Sequence, residues 1–345
     1  MTDIISNFRY DSPAVSWKPF GEGHINKSFL VTTQSGQKYV LQGINSYVFK
    51  DIPGLMKNAV AVSEHIRKKT GKEGTYLKFV KTLDGADYYR TENGEYWRSY
   101  VFVGNTVCLQ LPETTRDFYE SAVAFGTFQS QLSDFPAKEL AVTIPDFHNT
   151  PVRLETFKKS LAADKVGRAK TAEKEIAFVL ERADFAPYLM DKLNSGELPL
   201  RVTHNDTKLN NVLLDADTHE PRCVIDLDTV MPGLSAWDFG DSIRFGACTT
   251  AEDEPDAEKV RLDLEMYRAF RKGFVESCPM LTEAEREALP HGARMLCYEI
   301  GMRFLTDYLD GDVYFNTAYP EHNLVRARVQ FKMTEEIEKH WNELI

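Results

Sequence analysis

The polar stretch His204–Asn211 constrains the fold of this chain more than any other part of the sequence. Short apolar runs surround it, and an aspartate follows the last of them: Leu200–Thr203, Val212–Leu214, Cys223–Ile225 and then Asp226. Apolar runs of this length with polar boundaries favour strands. A loop held between short strands is a rigid support for charged side chains. The sequence therefore predicts a strand–loop–strand unit that presents functional groups.

His204, Asp206 and Asn211 have the spacing H-x-D-x-x-x-x-N, which is that of a kinase catalytic loop. Phosphoryl transfer needs a hydroxyl aimed at the γ-phosphorus and cations that neutralise the phosphate oxygens. In this interpretation Asp206 accepts the hydroxyl proton, Asn211 and Asp226 hold Mg²⁺, and Lys208 reaches the transferring phosphate. The alternative is a polar turn that caps local backbone, but Asp226 at the end of the next strand favours the catalytic interpretation. His204 is expected to brace the loop backbone.

Composition excludes several classes of partner. The chain has 345 residues, enough for one large domain or two lobes, and its net charge of −11 argues against nucleic acid and anionic membranes. Five scattered cysteines fit a reducing cytosol, and no apolar run has the length of a signal core or a membrane span. We therefore expect a cytoplasmic protein of unknown oligomeric state. The catalytic-loop motif, and not the composition, predicts ATP and a small-molecule substrate as its partners.

The order of predicted elements changes near residue 105 from strands to helices. Residues 1–104 are predicted as a nucleotide-binding lobe with one helix, and its elements are Ser28–Thr33, Gln37–Gln42, helix Ile52–Lys69, Leu77–Thr82, Tyr88–Thr91 and Tyr96–Val103. Residues 105–345 are predicted as a catalytic, acceptor-binding lobe with helices Arg116–Leu132, Leu154–Leu161, Ala172–Asn194, Val260–Ser277, Glu283–Ala288, Gly292–Tyr308 and Leu324–Leu344. This order predicts an α+β fold of the bilobal protein-kinase-like type.

A glycine-bearing turn in the first lobe is the candidate phosphate cover. Gly21 and Gly23 permit close approach of backbone to phosphates. His24 and Asn26 at the tip either contact phosphate or acceptor, or simply form the turn. The pattern alone is common, and it gains meaning from the catalytic loop.

The third strand departs from the kinase pattern. Gln42 stands where a lysine is expected, and Lys38 lies four residues earlier on the same face. Either Lys38, Lys27 or Lys208 supplies the missing charge, or Gln42 and backbone amides suffice. Glu64 in the following helix is either the acidic partner or a residue on a solvated face.

Adenine contacts leave no side-chain signature, because they are made by backbone. By position, we expect them in the segment that includes Tyr100 and Phe102.

Together, these motifs resemble the aminoglycoside phosphotransferase/choline kinase superfamily over most of the chain. The resemblance is most specific at His204–Asn211, Val224–Asp228 and Trp237–Phe245. Within that superfamily, three segments are most similar to the N-acetylhexosamine 1-kinases: Thr203–Leu214, Val224–Gly233 and Glu299–Asp310. Those kinases phosphorylate the anomeric hydroxyl of N-acetylglucosamine or N-acetylgalactosamine with ATP and Mg²⁺. The resemblance implies Asp206 as the base and Asn211 and Asp226 as metal ligands.

The same resemblance suggests five sugar contacts: His24, Asp238, Asp241, Arg303 and Tyr314. For Asp238, Arg303 and Tyr314, the sequence also permits other interpretations. Asp238 is equally the N-cap of the helix after Trp237. Arg303 is either a buried ion-pair partner or a substrate ligand. Tyr314 belongs to an aromatic cluster that either walls a sugar pocket or packs in a lid or in the core.

The function predicted from the sequence is ATP-dependent phosphorylation of a sugar 1-hydroxyl. The nearest rival is the same chemistry on another small alcohol: an aminoglycoside, choline, homoserine or a different sugar. A cationic acceptor requires acidic residues and no exposed arginine in its pocket, so the placement of Arg303 discriminates between them. A rival of another class is a non-catalytic nucleotide-binding protein, which Gln42 favours and intact Asp206, Asn211 and Asp226 oppose.

Overall fold

The structure is a computed structural model and describes residues 1–21 and 25–345. Its backbone forms two compact units. The first comprises Met1–Cys108, Gln131–Pro145 and Asn211–Pro232, and the second comprises Leu109–Ser130, Asp146–Asn210 and Gly233–Ile345. The units are therefore discontinuous in sequence, whereas the predicted lobes 1–104 and 105–345 are continuous. The position of the domain boundary stays a prediction.

The regular elements of the described residues are as follows. The strands are β1 Ala14–Pro19, β2 Lys27–Thr33, β3 Lys38–Ile44, β4 Phe79–Val80, β5 Tyr89–Arg90, β6 Tyr96–Val101, β7 Thr106–Val107, β8 Arg201–Thr203, β9 Val212–Asp215, β10 Pro221–Val224 and β11 Met231–Gly233. The helices are α1 Thr2–Ile5, α2 Ile52–Thr70, α3 Thr115–Gln131, α4 Thr150–Ala163, α5 Glu173–Glu181, α6 Tyr188–Asn194, α7 Ser235–Gly246, α8 Leu264–Ser277, α9 Glu283–Asp310, α10 His322–Lys339 and α11 Trp341–Leu344. The predicted change from strands to helices along the chain is confirmed.

An antiparallel sheet organises the first unit. Its strand order is β1-β2-β3-β6-β4, with β5 beside β6, and β10, β9 and β7 form a second sheet. The predicted hairpin between β2 and β3 is confirmed, and its turn needs Gly36 because the backbone there has φ 90°. Pairing of β3 with β6 places Gln42 opposite Arg98 and Val40 opposite Tyr100. This register puts Arg98 on the face of the sheet that carries Gln42.

Helix α2 matches its prediction to within one residue. Asp51 caps its start, since the carboxylate accepts a 3.0 Å hydrogen bond from Gly54 N. Gly71 in the left-handed conformation ends it. The buried stripe of Leu55, Ala59 and Val62 packs this helix into the first unit.

Three helix predictions in the second unit are wrong, and one of them is the single helix Leu324–Leu344, which is instead the two helices α10 and α11. The predicted break at Pro290 does not occur, because α9 is continuous and Pro290 lies inside it. Neighbouring α7 packs backbone to backbone against this part of α9: a Cβ on Gly292 would meet Ala236 O at 2.0 Å, and one on Gly240 would meet Gly292 O at 2.3 Å. Tertiary packing outweighs the local cost of the proline.

The predicted single helix Ala172–Asn194 is instead two helices, α5 and α6. Arg182, at φ −105° and ψ 9°, ends α5, and Pro187, which has no backbone N–H to donate, directly precedes α6. No helix of residues 1–21 and 25–345 has the length and apolar character needed to cross a membrane.

Candidate active site

The segment after β8 forms the predicted catalytic loop in the second unit. Asn205 has φ 64°, a left-handed conformation that turns the chain sharply. His204 is fully buried, with its ring edge-on to Phe125 and Phe128 at 5.5 and 6.0 Å. Its Nδ1 accepts a hydrogen bond from Asp206 N at 3.3 Å. His204 therefore braces the loop, as its predicted structural role requires.

Two aspartates of α7 hold the backbone of this loop. Asp238 is fully buried, and its carboxylate accepts hydrogen bonds from His204 N at 2.9 Å, Asn205 N at 2.8 Å and Gln129 Nε2 at 2.7 Å. Asp238 lies in the first turn of α7, which begins at Ser235, so its interpretation as an N-cap is wrong. These contacts give it a positioning role, and a sugar contact by Asp238 stays a prediction without a supporting contact.

Asp241 continues the same support one turn later. Its Oδ2 accepts Thr207 N at 2.9 Å, and its Oδ1 accepts Nε and Nη2 of Arg244, each at 3.0 Å. Arg244 also donates to Glu252 at 2.6 Å. Asp241 is 4% exposed, so its carboxylate is occupied by the loop and by Arg244. A sugar contact by Asp241 likewise stays a prediction.

Asp206 and Lys208 form an ion pair at the exposed side of the loop. Lys208 Nζ lies 3.2 Å from Asp206 Oδ1, and the side chains retain 35% and 30% of their exposure. Burial favours the neutral acid, but Lys208, followed by His204, outweighs it and holds the pKa of Asp206 below its usual value. The charge of Asp206 in turn raises the pKa of Lys208 against the effect of burial. At neutral pH the loop thus presents a carboxylate that can accept a proton and an ammonium that can contact phosphate.

A buried polar network lies against the other side of the catalytic loop. His148 Nδ1 lies 2.9 Å from Glu299 Oε1, and Thr150 donates to Glu299 Oε2 at 2.6 Å. His148 Nε2 is 3.5 Å from the carbonyl oxygen of Asn205, the outer limit of a hydrogen bond. Burial opposes ionisation of Glu299, but His148 and then Arg303 hold the pKa of this carboxyl below its usual value. The network connects the catalytic loop to α9.

Arg303 lies one turn after Glu299 on α9, among aromatic rings. Its guanidinium carbon is 5.4, 6.0 and 5.7 Å from the ring centres of Phe147, Tyr314 and Phe315. Within residues 1–21 and 25–345, no side chain or backbone group accepts a hydrogen bond from Arg303, which favours its interpretation as a substrate ligand. That role stays a prediction. Tyr314 is 64% exposed. Arg303 and Tyr314, both predicted as sugar contacts, are therefore neighbours in the structure.

Arg153 adds a second guanidinium to this part of the second unit. Its Nη2 donates to Phe147 O at 3.1 Å, while its buried Nε has no partner among the described residues. Burial, followed by the charge of Arg303, lowers the pKa of Arg153. The surroundings of Arg303 are thus rich in donors and aromatic faces.

The candidate metal ligands lie at one end of a hairpin in the first unit. Asn211 precedes β9 and Asp226 follows β10, and Ile225 N donates to Asn211 O at 2.9 Å. Asp226 is exposed and has φ 57°, while Asn211 is 6% exposed. Residues 1–21 and 25–345 contain no cluster of three or more His, Cys, Asp or Glu side chains that could hold a metal alone. One carboxylate and one amide fit Mg²⁺, which normally completes its coordination with substrate phosphates and water.

Gln42 belongs to a buried polar network that the sequence did not reveal. Its Nε2 donates to Ser28 Oγ and its Oε1 accepts from Arg98 Nε, both at 3.0 Å. Arg98 Nη1 donates to Asp228, which also accepts Asn26 Nδ2 at 2.6 Å. Asn26 is thereby a structural residue of this network.

The two candidate lysines of the first unit lie at the starts of strands. Lys38 and Lys27 are exposed at the starts of β3 and β2, and a nucleotide contact by Lys38 stays a prediction. Glu64 pairs with Arg67 at 2.8 Å on the exposed side of α2, which confirms the solvated-face interpretation. Arg98 is the buried cation beside Gln42.

The glycine turn and the adenine segment are described in part. Gly21 has φ 81°, a conformation that favours glycine, whereas Gly23 and His24 lie outside the described residues. Phe102 N donates to Lys38 O at 3.0 Å, so this N–H belongs to the sheet. Burial raises the pKa of the Tyr100 phenol, which lies beside Arg98. Adenine contacts by Tyr100 and Phe102 stay predictions.

Sequence reasoning missed Arg98 and assigned no role to Asp228 or Glu299, which lie in the recognised motifs. One signal was present: Arg98 is a lone charge in the strand Tyr-Trp-Arg-Ser-Tyr-Val, on the predicted face of Tyr96 and Tyr100. Its partners come from distant segments, 56 residues away for Gln42 and 130 for Asp228. No local pattern connects them.

Residues 16–272 match the model of the phosphotransferase enzyme family. The chain belongs to this family. The match includes the catalytic loop, both candidate metal ligands and both loop-holding aspartates of α7. The protein is therefore a small-molecule phosphotransferase, a kinase that acts on an alcohol group.

Solved structures of such phosphotransferases share the fold. A microcompartment-associated aminopropanol kinase has 16% identity and a TM-score of 0.65, with 99% of this chain and 97% of that chain covered. An amicoumacin kinase in complex with AMP-PNP and Ca²⁺ has 16% identity and a TM-score of 0.57, with 97% and 92% covered. Choline kinase from Cryptosporidium parvum Iowa II has 14% identity and a TM-score of 0.56, with 95% and 90% covered. The predicted kinase-like fold is confirmed.

Proposed function

We propose that this phosphotransferase transfers the γ-phosphoryl group of ATP to the anomeric hydroxyl of a free N-acetylhexosamine. The product is the sugar 1-phosphate. The observation that carries the proposal is the placement of Arg303 among Phe147, Tyr314 and Phe315. Segments around Glu299 and Asp206 that resemble N-acetylhexosamine kinases support it independently.

Arg303 argues against a cationic acceptor. Its guanidinium donors have no acceptor among the described residues, and Arg153 adds positive charge beside it. An acetamido carbonyl and sugar hydroxyls are good acceptors for such donors, and charged donors strengthen these bonds. Aromatic faces next to the guanidinium suit the apolar face of a sugar ring. An aminoglycoside or choline would bring a like charge toward two arginines.

The chemistry assigned to this chain is limited to positioning and proton transfer. Asp206 orients the acceptor hydroxyl and accepts its proton, and Lys208 contacts the transferring phosphate. Asn211 and Asp226 would hold Mg²⁺, which when bound neutralises charge on the phosphate oxygens. The amicoumacin kinase, which shares the fold and is bound to AMP-PNP and Ca²⁺, supports a site for a nucleotide together with a divalent cation.

An acceptor screen tests the proposal. Purified protein with Mg·ATP is assayed for ADP release with N-acetylglucosamine, N-acetylgalactosamine, their methyl glycosides, choline, aminopropanol and kanamycin. We expect turnover of the two free sugars, none of the methyl glycosides, and a moderate effect of the C4 configuration, because a site that hydrogen-bonds a group rejects analogues lacking it. Phosphorus NMR should identify a 1-phosphate. A 6-phosphate, or turnover of the amines without the free sugars, contradicts the proposal.

Arg303→Met tests the supporting observation. The substitution keeps the length and apolar stem of the side chain but removes its donors, so KM for the acetamido sugar should rise by about tenfold or more while KM for ATP stays constant. Arg268→Met on the exposed side of α8 is the matched control. If both variants have the same acceptor KM, Arg303 does not bind the acceptor.

A further inference from the structure

The kinase pattern leads us to expect a lysine at position 42, and here the guanidinium of Arg98 on the neighbouring strand contacts Gln42 instead. Gln42 and Arg98 are directly opposite each other in the antiparallel register of β3 and β6, where Cβ atoms lie roughly 4.5–5.5 Å apart. A long side chain from either position therefore reaches the same space on that face of the sheet. The hydrogen bond of Gln42 Oε1 to Arg98 Nε shows that the two side chains meet there.

Arg98 is held in one orientation. Asp228 pairs with Nη1, Gln42 accepts from Nε, and Asn26 and Ser28 fix those two acceptors from the side of β2. These contacts use two of the three guanidinium nitrogens and leave Nη2 without a partner among residues 1–21 and 25–345. Burial lowers the pKa of Arg98, but the charge and hydrogen bond of Asp228 outweigh burial and raise it above its usual value, so the group is charged.

Stability does not account for this ion pair. Arg98 and Asp228 retain 3% and 2% of their side-chain exposure, and a buried pair of this kind is usually no more stabilising than apolar residues of the same shape. A charged group held in one orientation, with one guanidinium nitrogen uncommitted among the described residues, is suited to bind an anion.

We propose that Arg98 is the phosphate-binding cation of the nucleotide site, and that Asp228 and Gln42 orient it. In this arrangement Asp228 and Gln42 are positioning residues, and Arg98 supplies the positive charge that a lysine at position 42 would supply. The proposal rests on membership of the phosphotransferase family and not on the identity of the acceptor. The role of Arg98 and the proposed sugar acceptor can therefore each be wrong without affecting the other.

The test separates phosphate binding from adenosine binding. Calorimetric titration in EDTA measures the dissociation constants of ADP and adenosine, so metal and acceptor are both absent. Asp228→Asn provides the reference for loss of the carboxylate alone. The double variant Arg98→Gln/Asp228→Asn removes both charges and keeps groups that can hydrogen-bond to each other. Arg98→Met/Asp228→Leu replaces the pair by apolar residues and serves if the amide pair does not fold.

We expect the double variant to bind ADP at least about tenfold more weakly than Asp228→Asn, because a hydrogen bond to a charged group is lost. Adenosine affinity should stay within about twofold by the same argument, since adenosine has no phosphate. Arg90→Gln, the same change at an exposed residue of β5, is the matched control and should leave both constants unchanged. Equal ADP affinity in the double and reference variants, or an equal loss for ADP and adenosine, overturns the proposal.

Discussion

Asp238→Asn distinguishes a positioning role from a sugar contact. The buried carboxylate of Asp238 accepts His204 N, Asn205 N and Gln129 Nε2 at 2.7–2.9 Å. An asparagine retains one oxygen and turns an NH₂ group toward at least one of these donors. A hydrogen bond to a charged group contributes about 1.5–3 kcal/mol, and a buried donor without a partner costs about 1–3 kcal/mol.

The net loss depends on which oxygen is replaced, and about 2–4 kcal/mol is the expected range. For a domain of 150–250 residues, this corresponds to a fall in Tm of roughly 5–15 °C. Displacement of His204 and Asn205 also moves Asp206, and a misplacement of about 1 Å costs on the order of 10²-fold in rate. We therefore expect kcat to fall on that scale, with a small change in the acceptor KM.

Thermal unfolding and steady-state kinetics against the acceptor measure both effects. Asp184→Asn, at an exposed aspartate of the second unit, is the matched control and should change neither. An Asp238→Asn protein with the Tm and kcat of the unmodified chain but a strongly raised acceptor KM would refute this reasoning and restore the sugar contact predicted from the resemblance.

Four further predictions follow from the site and the helix packing. Asp206→Asn should keep nucleotide affinity within a few fold by calorimetry and lower kcat by about 10²–10⁴, the usual effect of removing a general base; an unchanged kcat excludes Asp206 from proton transfer. Asp226→Ala should abolish Mg²⁺-dependent ADP release, and Asn211→Ala should weaken it less, since water replaces a neutral ligand more readily. If both variants depend on Mg²⁺ concentration as the unmodified protein does, these residues do not bind the metal. Lys208 is the main charge that holds the pKa of Asp206 below its usual value, so activity should persist as pH falls through that usual value and decline only below it. Lys208→Met should move this acid limb of the kcat profile to higher pH. If the limb does not move, Lys208 does not control the ionisation of Asp206. Gly292→Ala should destabilise the protein by about 3 kcal/mol or more in urea unfolding, since its Cβ would meet the backbone oxygen of Ala236 at 2.0 Å; an unchanged midpoint means that α7 and α9 do not pack this closely.

Local chemistry alone determined much of the first unit. The hairpin of β2 and β3 follows from alternating residues around a turn that needs Gly36, and α2 follows from its apolar stripe, the cap Asp51 and the stop at Gly71. The catalytic loop was equally predictable, because Asp206 and Asn211 lie at short, fixed spacing in one continuous segment.

Local rules failed where a tertiary contact was stronger than a propensity. Pro290 normally ends a helix, yet α9 continues through it because Gly292 and Gly240 let two helices touch along their backbones. The sequence contains both glycines, but it does not show that they face each other.

The sequence by itself determined which groups carry the chemistry, and the tertiary structure decided which groups hold them. Asp238 looked like a helix cap or a sugar ligand, and only the folded unit shows its carboxylate on the amides of His204 and Asn205. Likewise, Arg98 became the cation beside Gln42 only through strand register and the distant Asp228. Catalytic motifs are legible because their spacing is local, whereas hydrogen-bond and charge partners are set by packing between segments far apart in the chain.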